Sequence, residues 1–275
     1  MPDKVETKRQ IKRIKNLPTI PGIVAKISKM VENPETTPIQ VGRLISQDQV
    51  LSAKVLRMAN SAFFGQSRKI SSITQALIIL GFDVVKGLVL TSSVFDMMKK
   101  SMAGLWEHSI GCAAAAGVVA KYLDRPDAEE VLVAGLLHDL GKVVLSLQLP
   151  DETAQVLALA EEKQISFYEA ENAVLSFNHG EVGHWLAEHW NLPDNLSDPM
   201  RFHHQPERAD LAPKQTAIVH VANIIIRARG VGYSGDRFVP GLSHAAFEML
   251  GLSPKAFPAI LEELEPKIIN MQDYM

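Results

Sequence analysis

The sequence holds a single cysteine, Cys112, and no uninterrupted apolar run near the roughly 20 residues that a membrane-spanning helix needs. One cysteine excludes an internal disulfide, so a reducing compartment, the cytoplasm, is the expected setting. Cys112 lies in an Ala-rich stretch between Gly111 and Gly117, which reads as a close-packed helix rather than a reactive site. The apolar runs 76–82 and 131–137 are far too short to span a bilayer, and no membrane insertion is expected. The first sixteen residues are polar and charged with no apolar run behind them, so neither a signal peptide nor an anchor is expected there. Basic residues are not in excess either: 28 against 31 acidic ones leave a net charge of -3. That balance argues against a surface that coats nucleic acid. The one basic cluster, Lys4 to Lys15, reads as the solvated face of a first helix, with contact to phosphate or an acidic partner as the other reading.

Also lacking is any run of alternating β-branched residues bounded by turns, whereas helical periodicity recurs through nearly the whole chain. The expected class is all-α. Leu17-Pro18-Thr19-Ile20-Pro21 interrupts the basic helix and opens another over 22–32, with Ile23, Ile27 and Met30 on one stripe. Thr37 can cap a helix that has Pro38 at its first position and Val41, Leu44 and Ile45 on its apolar face. Asp48 precedes a helix over 51–60, and Ser71 or Ser72 starts one through Leu80. Longer helices rich in small residues are expected at 105–123, 128–148, 151–163, 167–172, 179–190, 198–204 and 214–229, then at 243–250 and 254–264 beyond a Gly-rich stretch. This change of character places a domain boundary near residue 98, dividing 1–98 from 99–275.

Nine histidines become informative through their placement. His138 and Asp139 fall mid-helix within Leu136-Leu137-His138-Asp139-Leu140-Gly141-Lys142, an apolar setting where an unpaired carboxylate is costly unless a cation or donors satisfy it. Adjacent imidazole and carboxylate ligands suit first-row divalent metals, although such a dipeptide alone is more often a locally paired Asp beside a core His. With His179 as the origin of a helix, Val182, Gly183, Leu186 and Trp190 share its inward stripe at about 100° per residue, while His184 and His189 lie further round. Gly183 on that stripe is expected to let a neighbouring helix approach. His203 and His204 end a short helix that Pro206 stops, where they could reach a metal or phosphate or simply complement the helix dipole. His108 precedes the Ala-rich helix, where a lone His is more often a satisfied core residue. The set predicts that His138, Asp139 and His179 converge on one cleft with His108 and His203 or His204 at its rim. Shared ligation requires Asp139 and His179 to lie within about 8 Å, since ligands sit about 2 Å from a metal.

The order His108, His138-Asp139, His179, His203-His204 resembles the ligand order of HD-superfamily phosphohydrolases, particularly the HD-GYP branch. The N-terminal half sharpens the match. Leu17 to Pro21, Ile45-Ser46-Gln47-Asp48-Gln49, the run from Ala53 through Asn60 and Ser61-Ala62-Phe63-Phe64-Gly65, and the run from Ile70 to Gly81 look like hallmark segments of HDOD proteins. The resemblance covers roughly residues 17–225. It implies a helical N-terminal subdomain packed on an HD-like bundle, in a family of regulatory output modules of bacterial signalling with no established common reaction. It also implies one or two divalent metal ions, with Fe, Mn, Ni and Zn fitting alike.

The sequence departs from the related enzymes in two places. Where HD phosphohydrolases usually end the ligand set with an Asp, this chain reads His220-Val221-Ala222-Asn223, and a neutral amide holds a cation less firmly than a carboxylate. Gln205-Pro206-Glu207-Arg208-Ala209-Asp210 replaces the Gly-Tyr-Pro segment of the HD-GYP branch, so cyclic di-GMP hydrolysis is not supported. Lys142 stands where related enzymes carry a lysine beside the metals, and both a phosphate-facing role and a helix-surface role are open. The resulting expectation is a signalling module with metal ligands His108, His138, Asp139, His179, His203, His204 and, weakly, Asn223. It would be weakly catalytic or non-catalytic and would act on a signalling protein partner. The alternative is a metal-dependent phosphohydrolase in which Asp139 and Lys142 serve catalysis on a phosphate or nucleotide ligand.

Overall fold

The computed structural model describes residues 22–31, 33–60, 70–190 and 192–269. Among them there is no strand, and the chain is all-α. No helix among the described residues is long and apolar enough to cross a membrane. The basic cluster 4–15, the segment 17–21 and residues 61–65 lie outside the described residues. By contacts between residues the chain divides into two compact units, Pro18–Asp96 and a second built on the residues from Met97 onward.

In the first unit, side-chain caps set where the helices start. Helix α1 (Gly22–Val31) buries Ile27. Thr37 and Gln40 cap α2 (Pro38–Ile45) reciprocally: the Thr37 hydroxyl accepts from the Gln40 amide at 3.4 Å, and Gln40 Oε1 accepts from the Thr37 amide at 2.8 Å. Asp48 caps α3 (Gln49–Ala59), its Oδ1 accepting from the Leu51 amide at 2.9 Å, and Ser72 caps α4 (Ile73–Leu80). Each such cap contributes about 1 kcal/mol. Helices α2 and α4 pack on one another, and their Val41, Ile45, Ile73 and Leu77 are buried. Helix α5 (Phe82–Ser101) runs unbroken through residue 98.

The second unit is organised around α6 (Leu105–Tyr122), which is buried on nearly every side. Its Gly111 and run of alanines from Ala113 to Ala116 keep its surface thin, so α7 (Ala128–Leu137) and α13 (Pro213–Ala228) lie close against it. At Gly135 a Cβ would lie 2.8 Å from the Cys112 carbonyl oxygen, so α7 can reach the α6 backbone only with glycine there. Around this core run α8 (Leu140–Gln148), α9 (Pro150–Lys163), α10 (Phe167–Leu175), α11 (His179–His189) and α12 (Asp194–Phe202), with α11 packed on both α8 and α12. A 3-10 turn (Pro206–Arg208) leads to α13, and α14 (His244–Leu250) and α15 (Ala256–Ile269) close the second unit against α13 and α6 respectively.

Candidate metal centre

His138 and Asp139 are not mid-helix, as periodicity alone predicts: α7 ends at Leu137, α8 begins at Leu140, and the dipeptide is the turn between them. The turn is made at Asp139, whose φ of -96° and ψ of 9° depart from helical values. In an unbroken helix neighbouring side chains diverge by about 100°. The turn relieves that divergence and brings both side chains to one point. The helix expected over 128–148 is therefore two helices.

Gly141, directly after this turn, admits α11: a Cβ there would strike the His179 carbonyl oxygen and lie 2.9 Å from the Gly183 amide nitrogen. The expectation that Gly183 supplies the close approach is corrected. A Cβ on Gly183 would meet Met200 Cε at 3.5 Å, an ordinary contact, so the glycine required by packing is Gly141.

Around Asp139 the histidines converge. Its Oδ1 lies 3.3 Å from His179 Nε2 and 3.6 Å from His203 Nε2; its Oδ2 lies 3.4 Å from His138 Nε2 and 3.6 Å from His108 Nε2. His179 Nε2 stands 3.2 Å from His203 Nε2 and 3.1 Å from His204 Nε2. Contrary to the expected rim position, His108 and His203 are interior, 1% and 0% exposed. His204 is half-buried, its ring stacked on Tyr168 at 4.4 Å. Lys142 is no surface residue: it is 2% exposed, and its Nζ donates to Asp139 Oδ2 at 2.7 Å and to the Ser234 carbonyl at 2.9 Å. Asn223 is buried on α13 with its Oδ1 unpaired. It lies between His220, whose Nδ1 donates to the His203 carbonyl at 2.7 Å, and Arg227, which donates to the Ser234 hydroxyl at 3.0 Å. Those are its i-3 and i+4 neighbours, on the same helix face. His184 pairs instead with Ser197, and His189 is exposed.

The protonation pattern is set from outside the cluster. His138 Nδ1 donates to the Gly135 carbonyl at 2.7 Å and His203 Nδ1 to the Pro199 carbonyl at 3.0 Å. A carbonyl only accepts, so in a neutral ring the proton is on Nδ1 and the Nε2 lone pair points inward. His179 Nδ1 meets Glu171 Oε2 at 2.5 Å, an oxygen that also accepts the His179 amide at 3.1 Å. Three imidazoles thus present lone pairs to a space they share with a carboxylate. His179 Nε2 and His203 Nε2 face each other with neither able to donate, and buried His138 Nε2 and Asp139 Oδ1 have no hydrogen-bond partner. His138, Asp139 and His203 have donor atoms within 4.8 Å of one another, as do His179, His203 and His204, so a cation on either set would satisfy otherwise unpaired lone pairs. Imidazole with carboxylate is a donor set that suits a first-row divalent ion. The residues therefore fit the implied metal.

Burial holds the pKa of His108, His179 and His204 well below the usual value and that of His203 down to about 4, so these rings are neutral and competent to ligate near neutral pH. Burial alone would push Asp139 up, but His138 and the Lys142 ammonium hold it well below the usual carboxylate range. Glu171, fully buried, is pushed up by desolvation, with Lys142 opposing. Sequence reasoning missed this residue. Its signal was a charged group on the inward stripe of α10, in line with buried Phe167, Ala170 and Leu175. An imidazole oriented by a carboxylate in this way is the usual support of a metal-ligating histidine.

A family model, the HDOD domain, matches residues 17–206. The crystal structure of an HDOD domain protein with unknown function from Geobacter sulfurreducens is 30% identical, with a TM-score of 0.77 over 98% of this chain and 95% of that one. A Marinobacter aquaeolei structure, described as a candidate signal transduction protein, shares the fold at 21% identity and a TM-score of 0.76, covering 98% of this chain and 64% of that one. An uncharacterised protein of Treponema pallidum is 28% identical over 224 residues, 78% of this chain but 43% of its own length. The chain spans less than half the length of that curated relative. The caps, the small-residue helix and the histidine order coincide with a family match over most of the chain, and the chain belongs to the HDOD domain family.

Proposed function

We propose that this chain is a regulatory HDOD module of bacterial signalling whose metal centre is closed and hydrolyses phosphodiesters weakly or not at all. The observation that carries this reading is burial. His108, His138, Asp139, His179 and His203 are each at most 1% exposed, and Asp139 Oδ2 is already engaged by Lys142. Closed donor sets are typical of structural metal sites, whereas a catalytic site keeps one position open to water and substrate. His138, Asp139 and His203 would hold a divalent ion, and His179, His203 and His204 form the alternative set, since the one free lone pair of His203 serves a single ion. When bound, such an ion supplies Lewis acidity toward a phosphoryl oxygen.

This chain's own residues set what that chemistry could achieve. Glu171 orients His179, the Gly135 and Pro199 carbonyls orient His138 and His203, and Lys142 neutralises Asp139 from within the core. Because Lys142 also donates to the Ser234 carbonyl, it is held between two acceptors and has no free reach toward an external phosphate. Asn223 leaves the surroundings one negative charge poorer than an Asp would. The functional output is then a contact with a signalling protein partner. The Marinobacter aquaeolei relative, described in signalling terms, supports that reading.

A metal-dependent phosphohydrolase is the second reading, favoured by one observation: a pocket of about 590 Å³ beside His108 is lined by Tyr233, Arg237 and an Arg227 paired with Asp236, of which Arg237 and Tyr233 suit a phosphate or nucleotide. Elemental analysis of the purified protein, with a phosphodiesterase and nucleotide-phosphatase panel, separates the two. Stoichiometric metal with negligible turnover is expected. Robust turnover abolished in Asp139→Ala would establish the enzyme instead.

A further inference from the structure

We propose that Cys112 is a metal ligand, its sulfur joining His108 and His138 in a donor set on the α6 side of Asp139, so that the centre takes a thiophilic divalent ion such as Zn²⁺ or Co²⁺. This rests on the reading of the histidine cluster as a metal centre.

His108 and Cys112 stand four residues apart on α6, one above the other on the same face. Cys112 Sγ lies 3.4 Å from His108 Nε2, and one donor atom each of His108, Cys112 and His138 lie within 4.8 Å of one another. An independent observation comes from α7. His138 Nδ1 is committed to the Gly135 carbonyl, which leaves its Nε2 as the donor, 0% exposed and without a hydrogen-bond partner. Gly135 also makes the juxtaposition sterically possible, because only a residue without a Cβ lets α7 lie against the Cys112 carbonyl one turn before His138. Two helices therefore deliver two imidazoles and a sulfur to one buried point beside a carboxylate.

A buried cysteine in an Ala-rich helix is ordinarily a small apolar filler. Here the sulfur lies 3.4 Å from a ring nitrogen, and an unpaired lone pair of His138 is in the same donor group. Thiolate and imidazole donors together favour the softer first-row ions over Mg²⁺ or Mn²⁺. The Cys112 thiol gives up its proton to solvent on ligation, since the thiolate is the binding form.

The test is a Co²⁺ titration of the metal-stripped, full-length protein followed by absorption. Ligation by sulfur produces an intense near-ultraviolet charge-transfer band that grows with the weaker visible bands of the bound ion. With one cysteine in the chain, that band can arise only from Cys112. The expected result is a band that saturates with Co²⁺ in the wild type and is absent in Cys112→Ser, which still binds Co²⁺ but about 10- to 100-fold more weakly. Visible bands without the charge-transfer band in the wild type would overturn sulfur ligation and leave the histidine centre standing. No bound Co²⁺ would overturn both. The wild-type spectrum decides even where Cys112→Ser does not fold.

Discussion

Asn223, a single buried amide, separates this chain from the carboxylate-terminated ligand sets it resembles. An aspartate there would add a full negative charge at a low-dielectric position, whereas the amide offers only a dipole. Asn223→Asp is expected to raise metal occupancy of the purified protein, measured by elemental analysis against wild type and Asp139→Ala; equal occupancy in the first two would remove Asn223 from the site. Glu171 acts through another residue, orienting His179. In Glu171→Gln the charge is lost while the shape is kept, and metal affinity should fall about 10- to 100-fold. An unchanged Kd by competition with a chromophoric chelator would show that the Glu171–His179 pair only fills the core.

At the scale of elements, what matters is how closely α8 and α11 approach. Gly141→Ala places a methyl against the His179 carbonyl, and neither backbone can yield without moving a ligand. Overpacking of this kind costs about 1–3 kcal/mol. The variant should unfold at lower denaturant concentration than wild type and lose metal affinity, whereas Gly183→Ala, with only Met200 nearby, should be close to neutral for both. Equal midpoints for the two variants would refute this division of roles. The same elements show what is legible in sequence. Thr37, Asp48 and Ser72 announced their helices because a cap is a local interaction over three residues. The break at His138-Asp139 was not legible, because Leu, Ala and Gly on either side carry helical periodicity straight through it.

For the whole molecule, pH acts through the same buried rings that would hold a metal. The folded pKa of His108, His179, His203 and His204 lies below the ordinary unfolded value near 6.5, so the native state binds fewer protons than the unfolded one in the window between. The stability they contribute is complete above about pH 6.5 and is lost progressively as pH falls toward 4, the value reached by His203. The metal-stripped protein should therefore show a Tm that drops between pH 7 and pH 5, and a flat profile would count against burial of neutral rings. A divalent ion that binds only the native state should raise stability by about 2.7 kcal/mol at a hundredfold excess over its Kd, reversed by chelator.

Helical class and cap positions followed from the sequence by itself, because they depend on local periodicity and on side-chain chemistry that no partner alters; the set of six clustered residues followed from the resemblance of their order to HD-type ligand sets. Tertiary structure alone decided which atoms meet. The turn at Asp139 aims two adjacent residues inward, and glycines at 135 and 141 let α7 and α8 come close enough to α6 and α11 for donors to converge. Carbonyls of Gly135 and Pro199 and the Glu171 carboxylate then choose the tautomers. Lys142 is drawn into the core because Asp139 and the Ser234 carbonyl await it there, 92 residues away in the second case. Such contacts between distant segments leave no periodic trace, since each depends on backbone approach and not on the residues next to it in the chain.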